Sequence, residues 1–422
     1  MNYRIVFIMV ILVFLSLALT TNYPIDGYTT TGIRRLDRLE KIFKGEIKGR
    51  LPIKGALKSI EEIQLNLLGA RGDSLQKLPK PDPGLQKALE KLFPRLDESY
   101  SVSLLDITPD KPIAYAHRQH HRGFQPGSVG KLAVITAFMT ELSKIYPYCF
   151  VARQELLRDK VVRAGRWAIY DEHTVPFWNP GTSKYFRRQV QERDTFSLYE
   201  WADHMMSVSN NGAASVVWRE AILMRTFVKE YPKLTEERAD SFFLNTAKRD
   251  LAELAITVIR ESLCPMEIMP EEWRLGTFFT RGGEFFIPRK GGSIGSPAAL
   301  MKWMIALERG LIVDLPTSLE IKRLLYMTGR RIRYASNKSL VDAAVYFKSG
   351  SLYSCRPEQG YSCGKYRGNS KNYMNSVAIV EHPDGVTYMI ALMSNVLRKN
   401  SNIDHNMLAG NIDRIVKARH LE

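Results

Sequence analysis

Strand-forming patterns stand at both ends of this chain and helical patterns fill its middle, an order that few folds accommodate. Residues 101–107 and 112–116 read as two strands joined by Thr108-Pro109-Asp110-Lys111, whose Pro and Asp favour chain reversal. Strand signals return only at 343–347, 375–380 and 386–393, the last two separated by a Pro383-Asp384-Gly385 turn. Between them, 127–231 is largely helical in pattern, with strongly apolar stretches at 132–142 and 214–223, and further helices run through 249–263 and 297–310. A helix over about 404–419 closes the chain. Two strands early and three late predict one antiparallel sheet assembled from both chain ends, with an all-α domain over about 127–335 folded between them. The class is α+β, and a site would sit in the groove between sheet and helices.

Upstream of the first strand, residues 85–93 repeat apolar side chains at three and four and predict an amphipathic helix that stops at Pro94. With the Lys80-Pro81-Asp82-Pro83-Gly84 turn cluster before it, this marks the start of a main domain spanning 85–422. Residues 22–84 form a polar, basic extension whose 33–43 stretch has helical spacing and is expected to pack on the main body. Residues 1–21 carry one charged side chain, Arg4, and an apolar run over 5–15 that continues through Ser16-Leu17-Ala18-Leu19. That run is short against the ~20 residues of a spanning helix and suits a secretory signal, with Ala18-Leu19-Thr20 as a cleavage site. An uncleaved anchor is the alternative, and membrane contact would then be confined to this segment. Either way the folded part is expected to be exported, working in the periplasm or another extracytoplasmic space.

The 60 Lys and Arg against 44 Asp and Glu give a formal charge of +16, which favours polyanionic partners. Export removes nucleic acid from that set and leaves anionic cell-wall polymers. Four cysteines, Cys149, Cys264, Cys355 and Cys363, allow one or two bridges in an oxidising compartment, or free thiols. Cys355 and Cys363 are near enough in sequence to staple a loop, a closure worth about 2–3 kcal/mol. No Cys-x-x-Cys pair exists, and the His117, His120 and His121 cluster has no acid or Cys nearby to complete a ligand set, so no metal site is expected.

Three short motifs carry the chemistry: Ser128-Val-Gly-Lys131, Ser209-Asn210-Asn211 and Lys348-Ser349-Gly350. Ser-x-x-Lys also occurs at Ser74–Lys77 and Ser362–Lys365, so the pattern alone means little. Ser128, however, follows Gln125-Pro126-Gly127 and opens a strongly apolar helix, which puts Ser128 and Lys131 on one face at its N-terminus. A serine hydroxyl is a poor nucleophile until a neighbouring base takes its proton. A lysine becomes that base when burial and nearby positive charge lower its pKa, and Lys348 is the expected source of that charge. Gly350, with no side chain, leaves the strand edge open to an extended amide substrate.

In these motifs and their order the chain resembles the penicillin-recognising serine hydrolases, the superfamily of class A β-lactamases and penicillin-binding DD-peptidases, whose signature is Ser-x-x-Lys, Ser-Asp-Asn and Lys-Thr-Gly. The resemblance covers roughly residue 85 to the C-terminus, including residues 124–132 and Ser296-Pro-Ala-Ala-Leu-Met301, which is similar to the start of the helix after the family's omega loop. It implies a β-lactamase/transpeptidase-like fold, with Ser128 as the acylated nucleophile, Lys131 as base and Ser209 as proton donor to the departing nitrogen. Asn211 would hold Lys131 and the substrate's side-chain amide. Lys348 and Ser349 would hold the substrate carboxylate, and the backbone N–H groups of Ser128 and Ser351 would form the oxyanion hole. No cofactor is implied.

The departures matter as well. Asn210 replaces the family's Asp and Ser349 its Thr, while the Glu-x-x-Leu-Asn acid of class A deacylation is missing: before Leu244-Asn245 the corresponding position is Ser241. Glu271, Glu272 and Glu284 lie upstream of Ser296 without the motif around them. An inserted stretch, 158–193, carries Trp167, Tyr170, Phe177, Trp178, Tyr185 and Phe186 among basic residues, and either caps the groove, binds glycan or simply packs. Three functions remain open: a β-lactam-hydrolysing enzyme; a D-Ala-D-Ala carboxypeptidase or low-turnover penicillin-binding protein; and a catalytically silent envelope-binding protein.

Overall fold

The computed structural model describes residues 25–93, 98–327 and 331–421. The proposed export segment at 1–21 and the helix stop at Pro94 lie outside the described residues. Among the described residues no helix is long and apolar enough to cross a membrane.

The five strands expected from the sequence form one antiparallel sheet: β1 (Tyr100–Asp106), β2 (Ala114–Arg118), β3 (Ala344–Ser354), β4 (Lys371–Glu381) and β5 (Thr387–Asn395). Their order is β2-β1-β5-β4-β3, so the late strands join the early ones through the β1–β5 pair, Leu104 opposite Ile390. The α+β class holds, and strand β3, which carries the third motif, is an edge.

Alternation along the strands divides the core in two. Leu104, Val345, Phe347, Ala378 and Ile390 face the helices Pro83–Glu90 and Ser401–Lys417, while Leu105, Tyr346, Val377 and Met389 face the helical domain. Lys348 continues the parity of Tyr346, so the pleat aims it at the helical domain. Strand β3 runs well past the apolar 343–347 stretch because its outer half, Ser349 to Ser354, is held by backbone pairing with β4 rather than by burial of apolar side chains.

The helical domain is centred on α1 (Lys131–Ile145), which buries nearly all its side chains against α2 (Leu198–Met206), α3 (Asn211–Phe227) and Lys248–Leu263. The helical pattern expected across 127–231 is interrupted: Val161–Arg163 pairs with Thr195–Ser197, and Val175–Asn179 pairs with Lys184–Arg188 around Pro180-Gly181. That hairpin packs against the helix Arg34–Phe43 of the N-terminal extension, where the Trp178 indole donates to Asp37 at 2.5 Å. The extension itself sinks Ile33, Leu36, Ile63, Leu67 and Leu75 into the main core. Two guanidiniums fix it further, Arg34 bidentate on Glu200 at 2.8 Å and Arg35 bidentate on Asp203 at 2.6 Å. Cys355 and Cys363 are bonded to one another; Cys149 and Cys264 are free and exposed.

Candidate active site

Each motif occupies a different element, and the fold brings all three together. Gly127–Gly130 makes a tight turn leading into α1, so Ser128 and Lys131 face the same way. Gly127 has φ of 52°, and a Cβ there would stand 3.1 Å from the Ser351 nitrogen. A Cβ on Gly350 would stand 2.7 Å from the Ser128 nitrogen. The two glycines therefore let the Ser128 turn and the edge strand meet backbone to backbone, with the Ser128 and Ser351 nitrogens beside the contact.

Lys131 is fully buried and its Nζ lies 3.1 Å from Ser128 Oγ, 2.6 Å from the Ser209 carbonyl, 2.7 Å from Asn211 Oδ1 and 3.4 Å from Ser209 Oγ. A neutral amine has two N–H groups, which the carbonyl and the amide oxygen accept, and one lone pair, which is left for the Ser128 hydroxyl. Burial pushes Lys131 down to about 7, with the Asp171 carboxylate pulling the other way. Of the two causes expected from the sequence, burial is the main one at Lys131, and the Lys348 charge does not figure there. Repulsion is felt instead at Lys348, held well below its ordinary value by burial first and then by Lys131 and Arg333.

Ser209 sits between the two amines, its Oγ 2.8 Å from Lys348 Nζ, on a backbone with φ of 60° that only a tightly braced loop sustains. Asn210 supplies the brace. Its Oδ1 accepts from the Ala213 N–H, capping α3, and its Nδ2 donates to the His173 carbonyl at 3.0 Å. An Asn at this position, where the resemblance implied an Asp, therefore has a local reason: the second partner is an acceptor, which an amide can satisfy and a carboxylate cannot.

Two groups at the site were not visible in the motifs. Asp171, from the inserted stretch, accepts from the Asn211 N–H at 2.6 Å, the Gly212 N–H at 3.3 Å and Asn211 Nδ2 at 3.2 Å, and pairs with His173 Nδ1 at 2.6 Å. By holding Nδ2 it fixes the Asn211 amide with Oδ1 toward Lys131. Burial opposes its charge, but His173 and Lys131 hold it below the ordinary carboxylate range. Arg333, with φ of 54°, donates to the hydroxyls of Ser349 and Ser351, each at 2.8 Å. Only the basic run Arg330-Arg331-Ile332-Arg333 could have drawn attention to it.

Among the described residues no carboxylate hydrogen-bonds Ser128 or Lys131. The Phe279 ring centroid lies 5.1 Å from Lys131 Nζ, and Leu275 and Phe279 pack against Gly130. Glu272 is engaged by Lys302 at 2.9 Å, Glu284 by the Thr277 hydroxyl, and Glu271 is exposed. The histidine cluster lies apart from the groove. His117 stacks on His120 with centroids 3.8 Å apart, and His120 bonds the Tyr115 hydroxyl.

The groove in front of Ser128 has a volume of about 860 Å³ and includes Ser209, Ser349, Ser351 and His173 in its walls. Of the inserted aromatics, Trp167 and Trp178 pack inside, whereas Tyr185 lines the groove.

No protein-family model matches the sequence, and no curated protein matches it at a significant level. Solved structures share its fold. That of TLA-3 extended-spectrum β-lactamase aligns over 80% of this chain and 98% of its own at 13% identity, with a TM-score of 0.51. TLA-1 extended-spectrum β-lactamase aligns over 81% and 100% at 12% identity, also with a TM-score of 0.51. PBP-A aligns over 82% and 99% at 14% identity, with a TM-score of 0.49. At such identities the likeness is one of fold: this chain has the β-lactamase architecture.

Proposed function

We propose that the chain is an exported serine acyl-enzyme of the penicillin-binding type, acylated at Ser128 by β-lactams and by the amide of a peptide ending in D-Ala-D-Ala. The observation that carries this reading is the 3.1 Å contact between Ser128 Oγ and a fully buried Lys131 whose remaining partners are acceptors. Neutral Lys131 takes the Ser128 proton as Oγ attacks the carbonyl carbon. The resulting oxyanion meets the N–H groups of Ser128 and Ser351, each such donor being worth about 3–4 kcal/mol of barrier. As the C–N bond breaks, Ser209 gives its proton to the leaving nitrogen and recovers one from Lys131 or Lys348. Lys348, Ser349 and Arg333 face the substrate carboxylate.

Release of the acyl group needs water activated by a base; the Phe279 ring lies over Lys131 Nζ, and among the described residues no carboxylate hydrogen-bonds Ser128 or Lys131. A β-lactam adduct should therefore persist. A second reading, hydrolysis of β-lactams with turnover, draws on the His173 imidazole, which is paired with Asp171 and lines the same groove. Nitrocefin separates the two: one stoichiometric burst supports slow release, repeated turnover lost in His173→Ala supports hydrolysis. A fluorescent penicillin should label the wild type, not Ser128→Ala, and Lys131→Ala slower by about 10²–10⁴-fold. Absence of labelling in the wild type would leave a silent binding protein. Anionic cell-wall polymer is the partner proposed for the basic surface.

A further inference from the structure

The groove in front of Ser128 is larger than a reacting amide needs, at about 860 Å³ near the top of the ~300–1,000 Å³ range of ligand pockets. Its walls include Arg35, Arg38, Arg187, Arg331, Arg333 and Lys365, with neither Asp nor Glu among the lining residues. Three of these cations are engaged within the protein: Arg35 by Asp203, Arg331 by the carbonyls of Gly55, Leu340 and Ala343, and Arg333 by Ser349 and Ser351. The other three have no carboxylate partner among the described residues. Arg38 lies over the Tyr185 ring at 3.9 Å, Arg187 donates to the Thr174 carbonyl at 2.7 Å, and Lys365 lies over the Tyr366 ring at 5.4 Å.

These three side chains come from separate parts of the chain: the extension helix Arg34–Phe43, the inserted strand Lys184–Arg188, and the loop just after the Cys355–Cys363 bridge. Like charges that line one groove repel one another, and a cleft concentrates their field on whatever enters. An anionic ligand relieves that repulsion. Strand β3 is the sheet edge beside the groove, so a ligand can lie extended along it with its reacting amide at Ser128, inside the same groove that the three cations line.

We infer that the groove takes an acidic peptide, whose carboxylates beyond the reacting amide are held by Arg38, Arg187 and Lys365. This specifies the substrate class of the proposed acyl-enzyme and rests on that reading for the position of the reacting end.

The test uses the full chain carrying Ser128→Ala, so that nothing turns over, and two peptides with a neutral dansyl label, Glu-Glu-Glu-D-Ala-D-Ala and Gln-Gln-Gln-D-Ala-D-Ala. Fluorescence titration at roughly 50 mM salt should show the glutamyl peptide bound about tenfold more tightly, with the preference shrinking at roughly 0.5 M. Replacing Arg38, Arg187 and Lys365 together by Ala should abolish the preference and leave the glutaminyl peptide unaffected. Should that variant fold poorly, Arg187→Glu alone, on an exposed strand, should weaken the glutamyl peptide selectively. Equal binding of the two peptides, or a preference that survives these changes, overturns the inference. Penicillin labelling of the same cationic-wall variants with Ser128 intact reports on the reacting end separately. Labelling without any charge preference removes the subsite alone; a charge preference in a protein that penicillin never labels removes the acyl-enzyme reading and leaves the anion site.

Discussion

At the scale of single residues the site is a problem in proton placement. In the proposed acyl-enzyme Lys131 must be neutral to accept from Ser128, so the rate of acylation should rise with pH through about 7 and level off above it. Asp171 shapes that curve because its carboxylate favours the charged form of Lys131 and holds the Asn211 amide in place. In Asp171→Asn the rising limb should move to lower pH while the plateau falls; a fall without movement of the limb would mean that Asp171 is only a structural support. Asn210 offers a second prediction. Asp at that position keeps the cap on Ala213 but sets a carboxylate oxygen against the His173 carbonyl, a loss of about 1–3 kcal/mol, read as a lower melting temperature. The deficit should shrink at low pH, where a protonated Asp can donate, and a deficit independent of pH would contradict the hydrogen-bond argument. The three motifs were legible in the sequence because the residues within each, Ser128 with Lys131, Ser209 with Asn211, and Lys348 with Ser349, lie within a few positions of one another. Asp171 and Arg333 were not, since they reach the site only through tertiary folding and no short spacing announces them.

At the scale of elements, the sheet was legible because apolar alternation is local, whereas its ends and the inserted hairpins were not. Strand β3 extends through Ser354 on backbone pairing alone, and Val175–Asn179 with Lys184–Arg188 alternates too weakly to override the helical look of its neighbours, although Pro180-Gly181 is a turn signal. What anchors the elements to one another includes a buried charge cluster that no pattern reveals. Lys322, wholly buried, contacts Glu308 at 2.6 Å and Glu381 at 2.8 Å, and Glu381, at the end of β4, also meets Lys58 at 2.5 Å. Burial raises Glu308, while two ammoniums outweigh burial at Glu381 and hold it down at about 2 against an ordinary 4.5. A depressed carboxylate stabilises the fold above its unfolded pKa, so this contribution should be full above about 4.5 and lost as pH falls toward about 2. Lys322→Met should cost about 3–5 kcal/mol near neutral pH, since it leaves two carboxylates facing each other without their shared cation. Denaturant unfolding checks both; a variant as stable as the wild type near neutrality would show the cluster to be expendable.

For the whole molecule the question is how far the N-terminal extension is part of the domain it precedes. Its composition reads as a polar, basic leader, and only the 33–43 stretch shows a face for packing. In the structure it is woven in at both levels that matter. Ile33, Leu36, Ile63, Leu67 and Leu75 belong to the same apolar cluster as α1, and Gly55 approaches the Ala343 carbonyl so closely that a Cβ would stand 2.0 Å away. Arg34 and Arg35 neutralise Glu200 and Asp203 on α2, both buried, and Arg38 reaches the groove. A chain begun at residue 85 would expose those apolar surfaces and strand two buried carboxylates, each costing several kcal/mol without a partner. It should be insoluble or melt lower by about 10 °C or more, with penicillin labelling weakened in parallel. If instead it melts and labels like the full chain, the extension is a passenger, and the cationic wall would have to bind its ligand without Arg38. Supplying residues 22–84 as a separate peptide decides between lost packing and a folding defect: recovery of labelling means that the groove is assembled from two pieces of one domain whose contacts, not their covalent continuity, hold the Ser128 turn in place.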